Sequence, residues 1–116
     1  MRIACWNINS VRTRVHRVIS LLKQHDIDVL CLQETKTSDA KFPYAEFEAA
    51  GYHVAHHGLN QWNGVAIVSK VKPEDVETQF PGQPGFAKDE NQEQALEARA
   101  IGGRISGVEI WSLYVP

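Results

Sequence analysis

The apolar residues fall into short runs with two different periods. Arg2 to Asn7 reads as a short buried strand, and from Val11 the residues Val11, Val15, Val18, Ile19 and Leu22 recur at helical spacing. Ser10 is the expected N-cap of that helix, and the polar pair His25-Asp26 marks its end. Asp28 to Gln33 then resumes as a second buried strand. Strand, helix and strand in this order predict a βαβ crossover, which is right-handed in nearly all cases and makes the strands parallel. Asn7 and Glu34 are then expected at the same edge of one sheet, each where a strand ends.

Pro43 to Ala50, followed by Gly51, suits a helix of about two turns. Tyr52 to His56 and Val65 to Ser69 flank the polar stretch Gly58 to Gly64 and predict two strands joined by a longer hairpin loop. Residues Pro81 to Asn91, rich in Gly, Pro and charge, predict an exposed loop. Glu97 to Ile105 and Val108 to Val115 are linked by Ser106-Gly107, a two-residue connection suited to a tight hairpin. If Ile105 faces Val108, the ladder sets Arg99 opposite Tyr114, and the period of two places Glu97 on the same face. A bulge at Gly102-Gly103 would shift that register by one.

Length and composition narrow the class. The 116 residues suffice for one domain with a modest core, and 43% hydrophobic with 22% charged residues is ordinary for a globular protein. No apolar run approaches the roughly 20 residues of a membrane-spanning helix. The opening segment lacks the apolar stretch of a secretory signal, so a cytoplasmic location is expected. Cys5 and Cys31 both sit inside apolar runs and are expected to be free thiols. A formal charge of −2 gives no general electrostatic case for nucleic acid. It does not exclude DNA either, because a bound metal ion can neutralise phosphate locally. The histidines, His56-His57 included, lack zinc spacing and are expected on the surface or in packing.

Trp6-Asn7-Ile8-Asn9-Ser10-Val11-Arg12, Leu32-Gln33-Glu34-Thr35-Lys36 and Leu113-Tyr114-Val115-Pro116 together resemble the exonuclease III and abasic-endonuclease family. Gln61 to Ile67 and Glu97-Ala98-Arg99 also sit where that family has comparable segments. The likeness runs the length of the chain, and the combination is specific although each motif alone is weak. It implies an α/β fold, a DNase I-like four-layered α/β sandwich with mixed β-sheets, of which residues 1–116 would be the N-terminal part of one domain. It also implies hydrolysis of DNA phosphodiesters, with abasic-site incision and 3′ to 5′ exonuclease action on double-stranded DNA. The parent is expected to be monomeric, and the chain by itself inactive. Another phosphodiesterase or phosphatase of the same superfamily, or a non-catalytic DNA-binding half-domain, are the alternatives.

The resemblance makes Glu34 the central metal carboxylate, with Asn7 beside it, for Mg²⁺ or alternatively Mn²⁺. Mg²⁺ takes hard oxygen ligands, often one or two carboxylates with water and substrate phosphate, so a single strand-end glutamate meets its need. Taken alone, Glu34 reads equally as a solvated charge and Asn7 as a turn cap. Asn9, where some relatives carry Asp, touches the metal through water or holds its loop by hydrogen bonds. Tyr114 corresponds to the family's active-site tyrosine and is expected to contact the scissile phosphate. An unperturbed phenol, with a pKa of about 10, does so as a neutral donor. Arg99 serves as a phosphate or carboxylate partner with Glu97 as its orienter, or the two form a plain ion pair. Arg12, Lys36 and Arg14 meet DNA phosphates or simply confer solubility. The family's water-activating Asp-Xaa-Asn segment and its late Asp-His pair are expected beyond Tyr114.

Overall fold

The computed structural model describes residues 1–115; Pro116, the end of the Tyr-Val-Pro segment, lies outside them. The chain runs β1 (Ile3–Asn7), α1 (Val15–Gln24), β2 (Val29–Gln33), a 3-10 turn (Asp39–Lys41), α2 (Tyr44–Ala49), β3 (His53–His57), β4 (Val65–Ser69), β5 (Glu74–Glu77), β6 (Ala100–Ile105) and β7 (Val108–Leu113). The expected βαβ unit is present, with β1 and β2 parallel and Asn7 beside Gln33. Strand β4 then joins antiparallel to both β2 and β3, giving a mixed sheet of order β1-β2-β4-β3. Strands β5, β6 and β7 form a second, antiparallel sheet. No helix among the described residues is long and apolar enough to cross a membrane.

Strands β2 and β4 are buried at every residue. Their sequences, Val-Leu-Cys-Leu-Gln and Val-Ala-Ile-Val-Ser, are nearly continuous apolar runs, as strands covered on both faces require. Alternation divides them between two cores. Leu30, Leu32, Ala66 and Val68 pack with Val15, Val18 and Leu22 of α1 and Phe47 of α2. Val29, Cys31, Val65 and Ile67 pack with Ile101, Ile105 and Ile110 of the second sheet. Helices, mixed sheet and antiparallel sheet thus stack as three layers, the two-sheet α/β arrangement expected from the sequence. Both cysteines are free, and burial pushes the Cys31 thiol up to about 11, which keeps it protonated and inert.

Three local expectations are corrected. Helix α1 begins at Val15 rather than Val11, and Ser10 is no cap: its φ is 86°, and Arg14 occupies the cap position without a side-chain bond. The cause is that residues after β1 keep pairing with the chain leaving β2. The Ile8 N–H donates to the Gln33 carbonyl (2.9 Å), Ser10 to Glu34 (2.9 Å) and Val11 to Thr35 (3.1 Å), so these donors are taken before a helix can claim them. Val11 is still fully buried, which is why it matched the helical period. Second, β6 starts at Ala100, not Glu97, and β7 ends at Leu113, not Val115. Third, β6 and β7 pair without interruption from Ala100↔Leu113 to Ile105↔Val108, so Gly102-Gly103 makes no bulge in this ladder. Gly102 instead lies under the Trp111 ring, which a Cβ would approach to 2.3 Å. The tight turn is as expected, with positive φ at both Ser106 (50°) and Gly107 (80°), the geometry of a type I′ hairpin. Strand β5 has no counterpart in the sequence reading. It is Glu74-Asp75-Val76-Glu77, exposed throughout, and its charges suit a sheet edge rather than a core.

Candidate functional site

The parallel β1–β2 pair delivers Asn7 and Glu34 to one edge, where the Asn7 side-chain amide donates to Glu34 Oε2. The chain then turns sharply, since Glu34 and Lys36 both have a φ of 54°. That turn folds Lys36 back, so that its Nζ donates to Asn9 Oδ1 at 2.6 Å and lies 3.6 Å from Glu34 Oε1. Asn9 also has a positive φ (48°), and its carbonyl accepts from Arg14 Nη1 at 2.6 Å. Asn7, Asn9, Glu34 and Lys36 are therefore one cluster. Arg12 stands exposed on the turn before α1.

A second cluster follows from the β6–β7 hairpin. The Tyr114 N–H donates to the Arg99 carbonyl (2.8 Å), carrying the ladder one pair past the strands and putting Arg99 opposite Tyr114 as the turn predicts. The Arg99 guanidinium lies between two rings, 4.5 Å from the Phe86 centroid and 4.9 Å from that of Tyr114. Its Nε donates to Glu97 Oε1 at 3.0 Å, while Nη1 is buried with no partner among the described residues.

Buried polar contacts join the two clusters. Gln33 Nε2 donates to Ser112 Oγ (3.0 Å), whose hydroxyl donates to the Leu32 carbonyl (2.8 Å). These residues lie just before Glu34 and Tyr114, so the ends of β2 and β7 are stitched side by side. The β3–β4 turn provides another strap. Gly64 N–H donates to the Ala98 carbonyl (2.9 Å), while Thr35 and Lys36 donate to Gly64 (3.2 Å) and Asn63 (2.9 Å). Beside it runs a groove of about 500 Å³ lined in part by Trp62, Asn63, Lys88, Glu97 and Arg99.

Behind Glu34 lies a polar chain that the sequence reading missed. Thr35 Oγ1 is 2.8 Å from His56 Nε2, and His56 Nδ1 is 2.7 Å from Asp39 Oδ1. The second contact is close but off the N–H direction, so it is an electrostatic contact rather than an aligned hydrogen bond. The His56 side chain is fully buried, and burial lowers its pKa to about 4 against the opposing pull of Asp39. A histidine depressed in the fold binds its proton more readily when unfolded. The fold is therefore favoured above pH 6.5, and this contribution is lost as pH falls through 6.5 towards 4. Unfolding free energies at pH 7 and pH 4.5, from denaturant titration, are expected to differ by on the order of 2–3 kcal/mol more in the wild type than in His56→Gln. Equal differences would show that His56 is not buried neutral.

The donors at the first cluster fit a hard divalent cation. Glu34 supplies carboxylate oxygens and Asn9 an amide oxygen, Asn7 turns its amide N–H to that carboxylate, and the Lys36 ammonium rests between Glu34 and Asn9. No group of three or more His, Cys, Asp or Glu side chains suited to a metal occurs among the described residues. Such a donor set suits an ion that keeps much of its water shell better than zinc. Although an Asp-Xaa-Asn segment is expected beyond Tyr114, the triplet Asp89-Glu90-Asn91 already spells one. It belongs to an exposed loop in which Asn91 N–H donates to Asp89 Oδ1 (2.8 Å), a local turn apart from this cluster.

Known proteins share this architecture. Exodeoxyribonuclease III of Haemophilus influenzae is 40% identical over 81 residues, a match covering 70% of this chain and 30% of that protein. The solved structure of an AP endonuclease from Archaeoglobus fulgidus superposes with a TM-score of 0.82 and 42% identity, over 100% of this chain and 42% of that one. The 3′ phosphatase NExo from Neisseria, bound to a product DNA hairpin, gives a TM-score of 0.83 and 36% identity over 98% of this chain and 41% of that one. The chain thus spans less than half the length of each of these proteins. Residues 4–106 match the Endonuclease/Exonuclease/phosphatase family, and together with the strand-end cluster and the shared fold this makes the chain a member of that family.

Proposed function

We propose that the full-length protein, of which residues 1–116 are the N-terminal part of one domain, is a metal-dependent DNA-repair nuclease. Its substrates are abasic sites and 3′ ends of double-stranded DNA. The observation carrying this reading is the cluster of Asn7, Glu34 and Lys36 at the ends of β1 and β2, linked through Gln33 and Ser112 to the hairpin that bears Arg99 and Tyr114, on a framework shared with nucleases and a DNA-bound phosphatase.

Glu34, supported by Asn7 and Asn9, would hold Mg²⁺ or Mn²⁺. Bound there, the ion supplies Lewis-acid polarisation of a phosphate oxygen. The protein's own groups do the rest. The Asn7 amide fixes the Glu34 carboxylate in one orientation. Lys36, held on Asn9, places a positive charge at the strand-end edge where phosphate oxygens would lie. Arg99 is clamped between Phe86 and Tyr114 with Glu97 holding its Nε, and its guanidinium would pair with an anionic oxygen. Tyr114 donates its hydroxyl to the scissile phosphate. Arg12, exposed before α1, and Lys36 extend backbone contact along the duplex.

The assay is incision of abasic duplex DNA by the full-length protein with and without a chelator. Tyr114→Phe is expected to slow turnover by roughly 10- to 100-fold, the loss of one hydrogen bond to developing charge, with metal affinity unchanged. Weakened metal binding with normal turnover at saturating metal would move Tyr114 into the metal site. Cleavage of phosphoinositides without incision of abasic DNA would replace the DNA reading by another superfamily phosphodiesterase.

A further inference from the structure

The three residues Glu34-Thr35-Lys36 carry both charged groups of the strand-end cluster, and two of them have positive φ. Non-glycine residues stay in that conformation only where their surroundings over-determine it. Backbone bonds hold the segment from both sides: Ser10 and Val11 donate to the Glu34 and Thr35 carbonyls, while Thr35 and Lys36 donate to Gly64 and Asn63. Thr35, fully buried, adds one side-chain anchor, its hydroxyl 2.8 Å from His56 Nε2.

His56 is itself immobilised. It sits in β3 opposite Ala66, its ring centroid is 4.4 Å from that of Phe42, and its Nδ1 faces Asp39. Asp39 is in turn fixed by the Gly58 N–H, 2.9 Å from the same Oδ1. With a carboxylate at Nδ1, the neutral imidazole carries its proton there, and Nε2 accepts from the Thr35 hydroxyl. Space around the chain is closed: a Cβ on Gly58 would lie 2.5 Å from the His56 ring, and one on Gly64 2.0 Å from Thr35 Oγ1. The relay Asp39, His56, Thr35 therefore ends directly behind Glu34.

We propose that His56 is a positioning residue for Glu34, holding through the Thr35 hydroxyl the turn that sets the Glu34 carboxylate against Asn7 and Lys36. This rests on the reading of Glu34 as the metal carboxylate, and groups that orient a metal's ligands typically change its affinity by 10- to 100-fold. In the absence of His56 the backbone bonds remain, but the central residue of the turn loses the side-chain tether that His56 provides.

The test uses the full-length protein with His56→Leu, which removes both ring nitrogens, and Thr35→Val, which deletes the hydroxyl at nearly constant shape. His56→Gln is the conservative variant, since an amide can accept from Thr35 and face Asp39 with a donor. Two quantities are read: Mn²⁺ affinity by water-proton relaxation, and the intraresidue amide-to-Hα NOE at Glu34 and Lys36, which is strong only at positive φ. His56→Leu and Thr35→Val are expected to weaken Mn²⁺ binding about 10-fold and to diminish the NOE at Glu34, with His56→Gln restoring both. Wild-type affinity and NOE in Thr35→Val, even with a lower melting temperature in His56→Leu, would reduce His56 to core packing and overturn the proposal. A Glu34→Gln protein that binds Mn²⁺ like wild type would instead refute the metal assignment, while the NOE still decides the role of His56.

Discussion

Full-length protein carrying Glu34→Ala is expected to lose metal-dependent incision of abasic duplex DNA by a factor of about 1000 or more, while melting within a few degrees of wild type. The two halves of this expectation have separate causes. The Glu34 side chain is 23% exposed, and its polar contacts among the described residues are with the Asn7 amide and the Lys36 ammonium, worth at most about 1 kcal/mol to a fold in solvent. Its removal nevertheless takes the carboxylate from the cluster and leaves the Lys36 ammonium without its counter-charge. Stabilisation of transition-state charge by a metal is worth several kcal/mol, and each 1.4 kcal/mol is about a factor of ten in rate. Single-turnover incision across a Mg²⁺ titration, with a melting curve for each variant, separates the effects. A wild-type rate at limiting Mg²⁺ would show that Glu34 does not hold the metal.

Gly64→Ala is expected to destabilise the protein by about 4 kcal/mol, the largest cost we anticipate from adding a single methyl group. Two penalties add at this position. Gly64 has a φ of 93°, a conformation that costs an L residue roughly 1–3 kcal/mol. The new Cβ would also stand 2.0 Å from Thr35 Oγ1, and relieving such overpacking costs about 1–3 kcal/mol more. The neighbour cannot retreat cheaply, because Thr35 is fully buried and tied to His56. Urea unfolding of the two proteins measures the difference directly. A change below about 1 kcal/mol would mean that the turn from Gly58 to Gly64 is loosely held and does not strap the Glu34 segment.

The parts of this structure that the sequence made legible are those governed by local periodicity or by a short connection. A strand, a helix and a second strand in succession allowed only a parallel pair, and this brought Asn7 next to Glu34 before any contact was known. The two-residue turn at Ser106-Gly107 likewise settled the opposition of Arg99 and Tyr114, seven residues away on either side. What stayed hidden depends on contacts between distant segments. Val11 matches the helical period because it is buried with α1, yet the N–H groups of Ile8, Ser10 and Val11 belong to the carbonyls of Gln33, Glu34 and Thr35. His56 carried no spacing that distinguishes a relay from a packing histidine, since its partners Thr35 and Asp39 come from another part of the chain. Strand β5 is polar at nearly every position and is a strand only because β6 offers it an edge.

Strand β2 lies between β1 and β4, and every one of its residues is buried. A carboxylate that leaves the end of such a strand inherits the immobility of its root. Little conformational freedom remains to be surrendered when a cation or a phosphate arrives, because folding has already removed it. The position of Glu34 is thus set by one of the two fully buried inner strands of the mixed sheet, and only the last bonds of its side chain are left to adapt to what it binds.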